Sequence, residues 1–298
     1  MRGLTPRWGQ VVTAMVTPFL SDGAVDLAGA KKLAGWLCEN GSDALVINGT
    51  TGESPTTSAA EKVALVKAAV EVLGKEKVIA GVGGNNTAEV VEAARAARDA
   101  GAGALLAVVP YYNKPSQEGL FQHFKAVASA TDLPVMLYNV PGRTITSLTA
   151  ATVARIAAAC PSVVAIKEAS ADMALVGEII RLTPDSFDVY SGDDATVLPL
   201  LSLGGCGVVS VISHVVGKDL KAVCSAWAAG ERKVAAEVFL KTLPVTRAIF
   251  SVPSPAPTKC ALNALGHGVG PVRLPLVECT ESEAASILQT LRGYGLPL

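Results

Sequence analysis

One rhythm constrains this chain of 298 residues more than any other feature. Short apolar runs alternate with longer amphipathic stretches. The runs are Val11–Val16, Ala44–Asn48, Val78–Val82, Ala104–Val109, Pro134–Asn139, Val163–Lys167, Asp188–Ser191 and Gly207–Val211. A strand with one wet face alternates apolar and polar residues. These runs are continuous, the pattern of parallel strands covered on both faces. The stretches between them read as helices, and some carry start signals. Asp26 opens one that runs to Cys38. Ser58, with Glu61 three residues on, caps another that runs to Leu73, and Thr87 begins a third with similar cap chemistry. A doubly wound sheet would also alternate, but eight units repeating about every 30 residues favour closure. The expected fold is α/β, a (β/α)8 TIM barrel.

Past residue 230 the rhythm fails. Glu231–Phe250, Thr258–Leu265 and Glu281–Arg292 read as helices, broken by the proline-rich segment at 251–257. The expected organisation is a barrel over residues 1–230 that carries the active site, with a small C-terminal helical appendage over 231–298.

Composition narrows the function. Hydrophobic residues make up 50% and charged residues 17%, against about 25% charged in an average soluble domain. Such a chain can bury a large core, and intrinsic disorder is excluded. With 25 basic and 26 acidic residues the net charge is −1. No basic excess exists to neutralise phosphates, so nucleic acid is not an expected partner. Residues 195–217 carry no formal charge and match a membrane span in length. Pro199, Gly204, Gly205, Gly207 and His214 interrupt them, so they read as a buried helix followed by a buried strand, and no membrane partner is expected. The basic segment Met1–Arg7 is followed by too short an apolar run for a secretory signal. Six cysteines occur without a C-x-x-C pair or a histidine at zinc-ligand spacing, which fits a reducing, cytoplasmic setting.

In a TIM barrel the chemistry gathers at the C-terminal ends of the strands. Lys167 closes the apolar run Val163–Ile166. A barrel interior strips hydration from an ammonium and favours the neutral amine. Such an amine attacks a carbonyl to form a Schiff base. A lone strand-end lysine more often snorkels into water, so its neighbours decide the matter. Tyr138 ends an adjacent strand and offers a hydroxyl for proton shuttling. Thr50 and Thr51, flanked by Gly49 and Gly52, offer hydroxyls and free amides for a carboxylate. Arg143 follows Pro141-Gly142, and its planar fork suits a second carboxylate. Tyr111-Tyr112 is a loop aromatic pair of the kind that caps a site or marks an interface. Asp193-Asp194 has no further ligands at useful spacing, so no metal is expected. Gly81–Asn86 lacks the third glycine of a dinucleotide fingerprint.

Five motifs then stand in order: Gly-Thr-Thr-Gly-Glu-Ser at 49–54, Pro-Tyr-Tyr-Asn at 110–113, Tyr-Asn-Val-Pro-Gly-Arg-Thr at 138–144, Ile-Lys-Glu at 166–168 and Ser-Gly-Asp-Asp at 191–194. With Arg-Leu-Pro at 273–275 they span nearly the whole chain. Each alone is weak, but together they resemble the 4-hydroxy-tetrahydrodipicolinate synthase (dihydrodipicolinate synthase) family of pyruvate-dependent class I aldolases. The resemblance implies a lyase that condenses pyruvate with L-aspartate-4-semialdehyde, the committed step toward diaminopimelate and lysine. It implies no cofactor and a homotetramer built as a dimer of dimers. By the same resemblance Lys167 is the Schiff-base lysine, Tyr138 the general acid/base and Thr50 part of a hydroxyl relay. Tyr112 is the tyrosine that completes a neighbouring subunit's site. Arg143 holds the semialdehyde carboxylate, and Thr51 and Val209 touch pyruvate.

One departure stands out. Lysine-inhibited bacterial members often carry histidines in the helix after the Gly-Thr-Thr-Gly turn, where this chain has Ala59 and Lys62. Ser54, Asn85, Glu89 and Tyr111 match other positions of that inhibitor pocket. A cationic Lys62 would repel the ammonium of bound lysine, so weak or absent feedback inhibition is expected. The nearest rival reading is another pyruvate-lysine aldolase, such as N-acetylneuraminate lyase or a 2-keto-3-deoxy-sugar-acid aldolase. Those relatives usually lack the arginine matching Arg143. A rival of another class is a non-catalytic binding or regulatory relative, which the intact Lys167, Tyr138, Thr50 and Tyr112 oppose.

Overall fold

The computed structural model of the protein describes residues 6–298. The N-terminal reading therefore falls largely on residues 1–5, outside the described residues. Eight parallel strands close into a barrel in sequence order, β1 pairing with β8. They are β1 (Val11–Ala14), β2 (Ala44–Ile47), β3 (Val78–Gly81), β4 (Ala104–Val108), β5 (Val135–Asn139), β6 (Val163–Glu168), β7 (Asp188–Ser191) and β8 (Gly207–Ser210). The helices between them are α1 (Leu27–Glu39), α2 (Ala59–Leu73), α3 (Thr87–Asp99), α4 (Gln117–Ala128), the short α5 (Pro141–Thr144), α6 (Ala150–Ala159), α7 (Met173–Leu182) and α8 (Val197–Ser202). After β8 come α9 (Ser213–Ala228), α10 (Arg232–Ile249), α11 (Ala256–Ala264) and α12 (Glu281–Tyr294).

Burial on two sides explains the continuous apolar runs. Alternate residues such as Val12, Val46, Met136, Tyr138 and Val209 pack inside the barrel. Their neighbours, among them Leu45, Leu105, Leu137 and Ile166, face the surrounding helices. Inside, alanines (Ala14, Ala44, Ala104, Ala165) make room for Trp8, Tyr138 and Tyr190, so the interior is filled rather than hollow. A third cluster joins β8 to α9–α12 through Val208, Leu220, Phe239, Ile249 and Leu291.

Local signals hold where they are short-range. Ser58 and Glu61 form the full capping box of α2. The third helix corrects the reading at its first residue: Asn86 is the cap, its side chain accepting from Ala88 N–H, and Thr87 is already helical. The freed Thr87 hydroxyl pairs with His123 Nδ1 at 2.9 Å. Helix α11 begins earlier than expected, at Ala256, because Pro257 falls in its first turn, where a missing N–H costs nothing.

Candidate active site

Tyr138 and Lys167 are register partners on β5 and β6. Both point into the mouth of the barrel and are 6% and 5% exposed. The Lys167 nitrogen lies 4.2 Å from the centre of the Tyr138 ring and is in no ion pair among the described residues. A glycine keeps the space around it: a Cβ on Gly192 would meet Lys167 Cγ at 2.9 Å and Cε at 3.0 Å. Thr50, Thr51, Arg143 and Val211 line the same cavity, which measures about 750 Å³. Its remaining wall comes from the appendage: Thr246, Arg247 and Phe250 at the end of α10, with Pro253 and Ser254 beyond. Strand-end reasoning had no route to that wall.

The other expected residues divide. Val209 is fully buried in the cluster beneath the cavity, and Val211 is the β8-side residue that lines it. Tyr112 is 88% exposed, has a left-handed φ of 69° and is not part of the lining of this cavity. An adjoining cavity of about 280 Å³ shares Thr50, Tyr138 and Arg143 with the first and adds Ser54, Lys62 and Tyr111. Ala59, Lys62 and Glu89 line a third space, of about 350 Å³, between α2 and α3. Burial pushes the Lys62 ammonium below the ordinary lysine range, and nearby Glu61 opposes that shift. Asn85 lines neither of these spaces. Its side chain donates to Tyr111 O at 3.2 Å, while Asn113 Nδ2 donates back to Asn85 O at 2.9 Å. The two asparagines thus clasp the loop that presents Tyr112.

Several buried polar groups that hold the site were not singled out. Glu168 points away from Lys167, behind the barrel wall. It accepts from Asn139 Nδ2 at 2.8 Å and from Ser170 N–H at 2.7 Å. Burial raises its pKa, which these donors partly counter. Asn139 Oδ1 also accepts from Leu148 N–H at 3.0 Å, so one cluster ties the Arg143 loop to the strand bearing Lys167. His214 bridges β8 to β1: its Nδ1–H donates to Val211 O at 2.8 Å and Nε2 accepts from Val16 N–H at 3.1 Å.

Asp194 is 1% exposed, and its Oδ2 accepts from Val211 and Ile212 N–H at 2.9 and 3.1 Å. Burial raises its pKa. Through Oδ2 this carboxylate holds two backbone amides of the β8–α9 turn. Asp194→Ala is expected to leave both amides unpaired and to cost about 2–4 kcal/mol. Asp194→Asn keeps an oxygen there and should cost clearly less. Urea unfolding of the pair checks the order, and equal losses would contradict this account.

With the geometry in place, comparison with known proteins is informative. The profile of the Dihydrodipicolinate synthetase family matches residues 7–293. The 4-hydroxy-tetrahydrodipicolinate synthase of Bacillus subtilis (strain 168) is 52% identical over 285 residues, covering 95% of this chain and 98% of that one. The crystal structure of the dihydrodipicolinate synthase of Cyanidioschyzon merolae with lysine bound superposes with a TM-score of 0.96 at 44% identity, covering 98% and 99% of the two chains. The chloride-inhibited enzyme of Acinetobacter baumannii, complexed with pyruvate, gives 0.92 at 39% identity, covering 97% and 99%. Likeness of this extent, spread over both the barrel and the C-terminal helices, means that the chain belongs to the dihydrodipicolinate synthetase family.

Proposed function

We propose that the protein condenses pyruvate with L-aspartate-4-semialdehyde to give 4-hydroxy-tetrahydrodipicolinate. The observation that carries this reading is the Lys167–Tyr138 pair, buried together at the mouth of the barrel within one cavity that also holds Thr50, Thr51 and Arg143. The Lys167 amine attacks the ketone carbon of pyruvate and water leaves, forming an imine. Loss of a methyl proton gives an enamine, whose carbon attacks the aldehyde while the aldehyde oxygen takes up a proton. The substrate's own amine then adds to the imine carbon, closes the ring and releases Lys167. Each step moves a proton, so Tyr138 serves as acid and base. Thr50 and a Tyr112 supplied by a second copy extend the relay. Thr51 contacts pyruvate, Val209 packs beneath it in the barrel interior, and Arg143 receives the semialdehyde carboxylate through its fork. No cofactor is called for, since the imine nitrogen is the electron sink.

The exposure of Tyr112 fits a residue that acts across an interface, and the proposed assembly is a homotetramer. The proposed setting is the cytoplasm. All six cysteines are free, and among the described residues no helix is long and apolar enough to cross a membrane. Residues 1–230 are proposed as the catalytic barrel and 231–298 as its helical appendage.

A coupled assay following pyruvate and the semialdehyde, run beside retro-aldol cleavage of N-acetylneuraminate and 2-keto-3-deoxy-sugar acids, tests the reading. Turnover only with the sugar acids would replace it with the rival aldolase. In the same assay L-lysine is expected to half-inhibit only at or above roughly 1 mM, a binding free energy no stronger than about −4 kcal/mol. Lys62 sets a second cation beside Ser54 and Tyr111, where the inhibitor's ammonium would lie. Half-inhibition at micromolar lysine would contradict that expectation.

A further inference from the structure

The turn that carries Thr50 and Thr51 is gripped from the far end of the chain. Glu53 N–H donates to Thr50 O at 3.0 Å, so the Glu53 backbone sets the plane of Thr50. Glu53 is itself held in the left-handed region, at φ 56°. Its carboxylate is 0% exposed and lies 2.7 Å from the ammonium of Lys259, which is 3% exposed. The other carboxylate oxygen accepts from Arg273 N–H at 2.8 Å. Lys259 also donates to Pro271 O at 2.6 Å.

Arg273 spends its whole guanidinium on the same neighbourhood. Nε and one terminal nitrogen donate to Gly23 O, at 2.9 and 2.7 Å. The other terminal nitrogen donates to Thr56 O at 2.7 Å. Both terminal nitrogens grip Glu61, at 3.1 and 2.6 Å. The Lys259 ammonium and the Arg273 guanidinium both rest against the Phe19 ring, 4.1 and 4.2 Å from its centre. A left-handed glutamate with a dry carboxylate is costly unless its surroundings hold it. Here the holding groups all belong to the C-terminal appendage.

We propose that Glu53, Lys259 and Arg273 form a positioning lock, through which the appendage sets the Thr50–Thr51 turn against Lys167 and Tyr138. None of the three lines the cavity. They act through the turn, and the inference rests on the function proposed above. Breaking the lock should leave imine formation at Lys167 intact and impair the steps that need Thr50 and Thr51. The expected signature is split: kcat falls at least ~10-fold and KM for pyruvate rises, while borohydride still traps pyruvate on the enzyme at saturating concentration.

Single substitutions leave a buried charge unpaired and can unfold the chain, so the deciding variant is Glu53→Gln with Lys259→Met, which removes both charges together. Lys259→Arg is the conservative companion and is expected to recover at least half of the wild-type kcat. All are measured as full chains, with melting temperature, kcat, KM and trapped mass. A folded double variant with wild-type kcat and KM overturns the lock. So does Lys259→Arg as impaired as the double variant, and so does a double variant that does not fold, because the pair would then be a folding requirement only. A wild-type chain without turnover in the parallel assay would instead sink the functional reading.

Discussion

Replacing Lys167 with methionine is expected to abolish turnover, by at least ~10⁴-fold or about 5 kcal/mol of barrier, and to remove the pyruvate adduct that borohydride traps. Without the amine there is no imine, no electron sink and no enamine, and no other lysine lines the cavity to replace it. Stability should move the other way. Lys167 is buried and has no carboxylate partner among the described residues, and holding an amine there carries a desolvation cost that methionine, of similar length, does not. A melting temperature equal to or a few degrees above wild type is therefore expected. Intact-mass analysis after reduction, with peptide mapping, gives the check. An adduct that survives in the variant, or that maps elsewhere in the wild type, would mean that the chemistry does not run through this residue.

The second large effect is acid lability. His214 is 0% exposed, and burial, its main cause, pushes its pKa down to about 4. His123, 4% exposed, is lowered to about 4 by burial as well. Both are held neutral in the fold, while in the unfolded chain they take up a proton near 6.5. Between those values the unfolded state binds more protons, so stability rises with pH there. The contribution is fully present above about 6.5 and is lost as pH falls toward 4. For His214 the shift corresponds to about 3 kcal/mol.

Glu61, held near 2 chiefly by its hydrogen bonds to Arg273, adds the same sign further into acid. Glu168 and Asp194, both raised by burial, oppose it. Unfolding by urea between pH 7.5 and 4.5 should therefore show a steep loss, and His214→Gln should flatten it while losing some stability at pH 7.5. Equal slopes in the two proteins would remove His214 from the explanation.

The sequence carried much of the barrel because burial on both faces writes itself directly into each strand. The run Val163–Ile166 needs no knowledge of its partners to be read as a covered strand, and Ser58 with Glu61 needs only a four-residue window. Lys167 stood out for the same reason: a charge at the end of an apolar run is a local anomaly. Errors of one residue, as at Asn86 and Thr87, arise because two neighbouring side chains can each cap and tertiary contacts choose between them. Here His123 claims the Thr87 hydroxyl.

The polar scaffold behind the site was not legible in that way. Glu53 lies inside the very motif that signalled the turn, yet as a sequence it looks like any carboxylate in a loop. Its partners, Lys259 and Arg273, lie more than two hundred residues later. Asn139 and Glu168 occupy positions where alternation turns a side chain away from the cavity, and only the packed wall shows that they meet.

What the sequence determined by itself is therefore the closed eight-strand architecture, the strand-end positions of Lys167 and Tyr138 and the family, since periodicity and ordered motifs are local properties of the chain. Only the tertiary structure decided which ionisable groups are dry and which hold one another, and that a helical tail completes the cavity. Desolvation and charge pairing depend on distances between segments far apart in the chain, and no short stretch of sequence contains them.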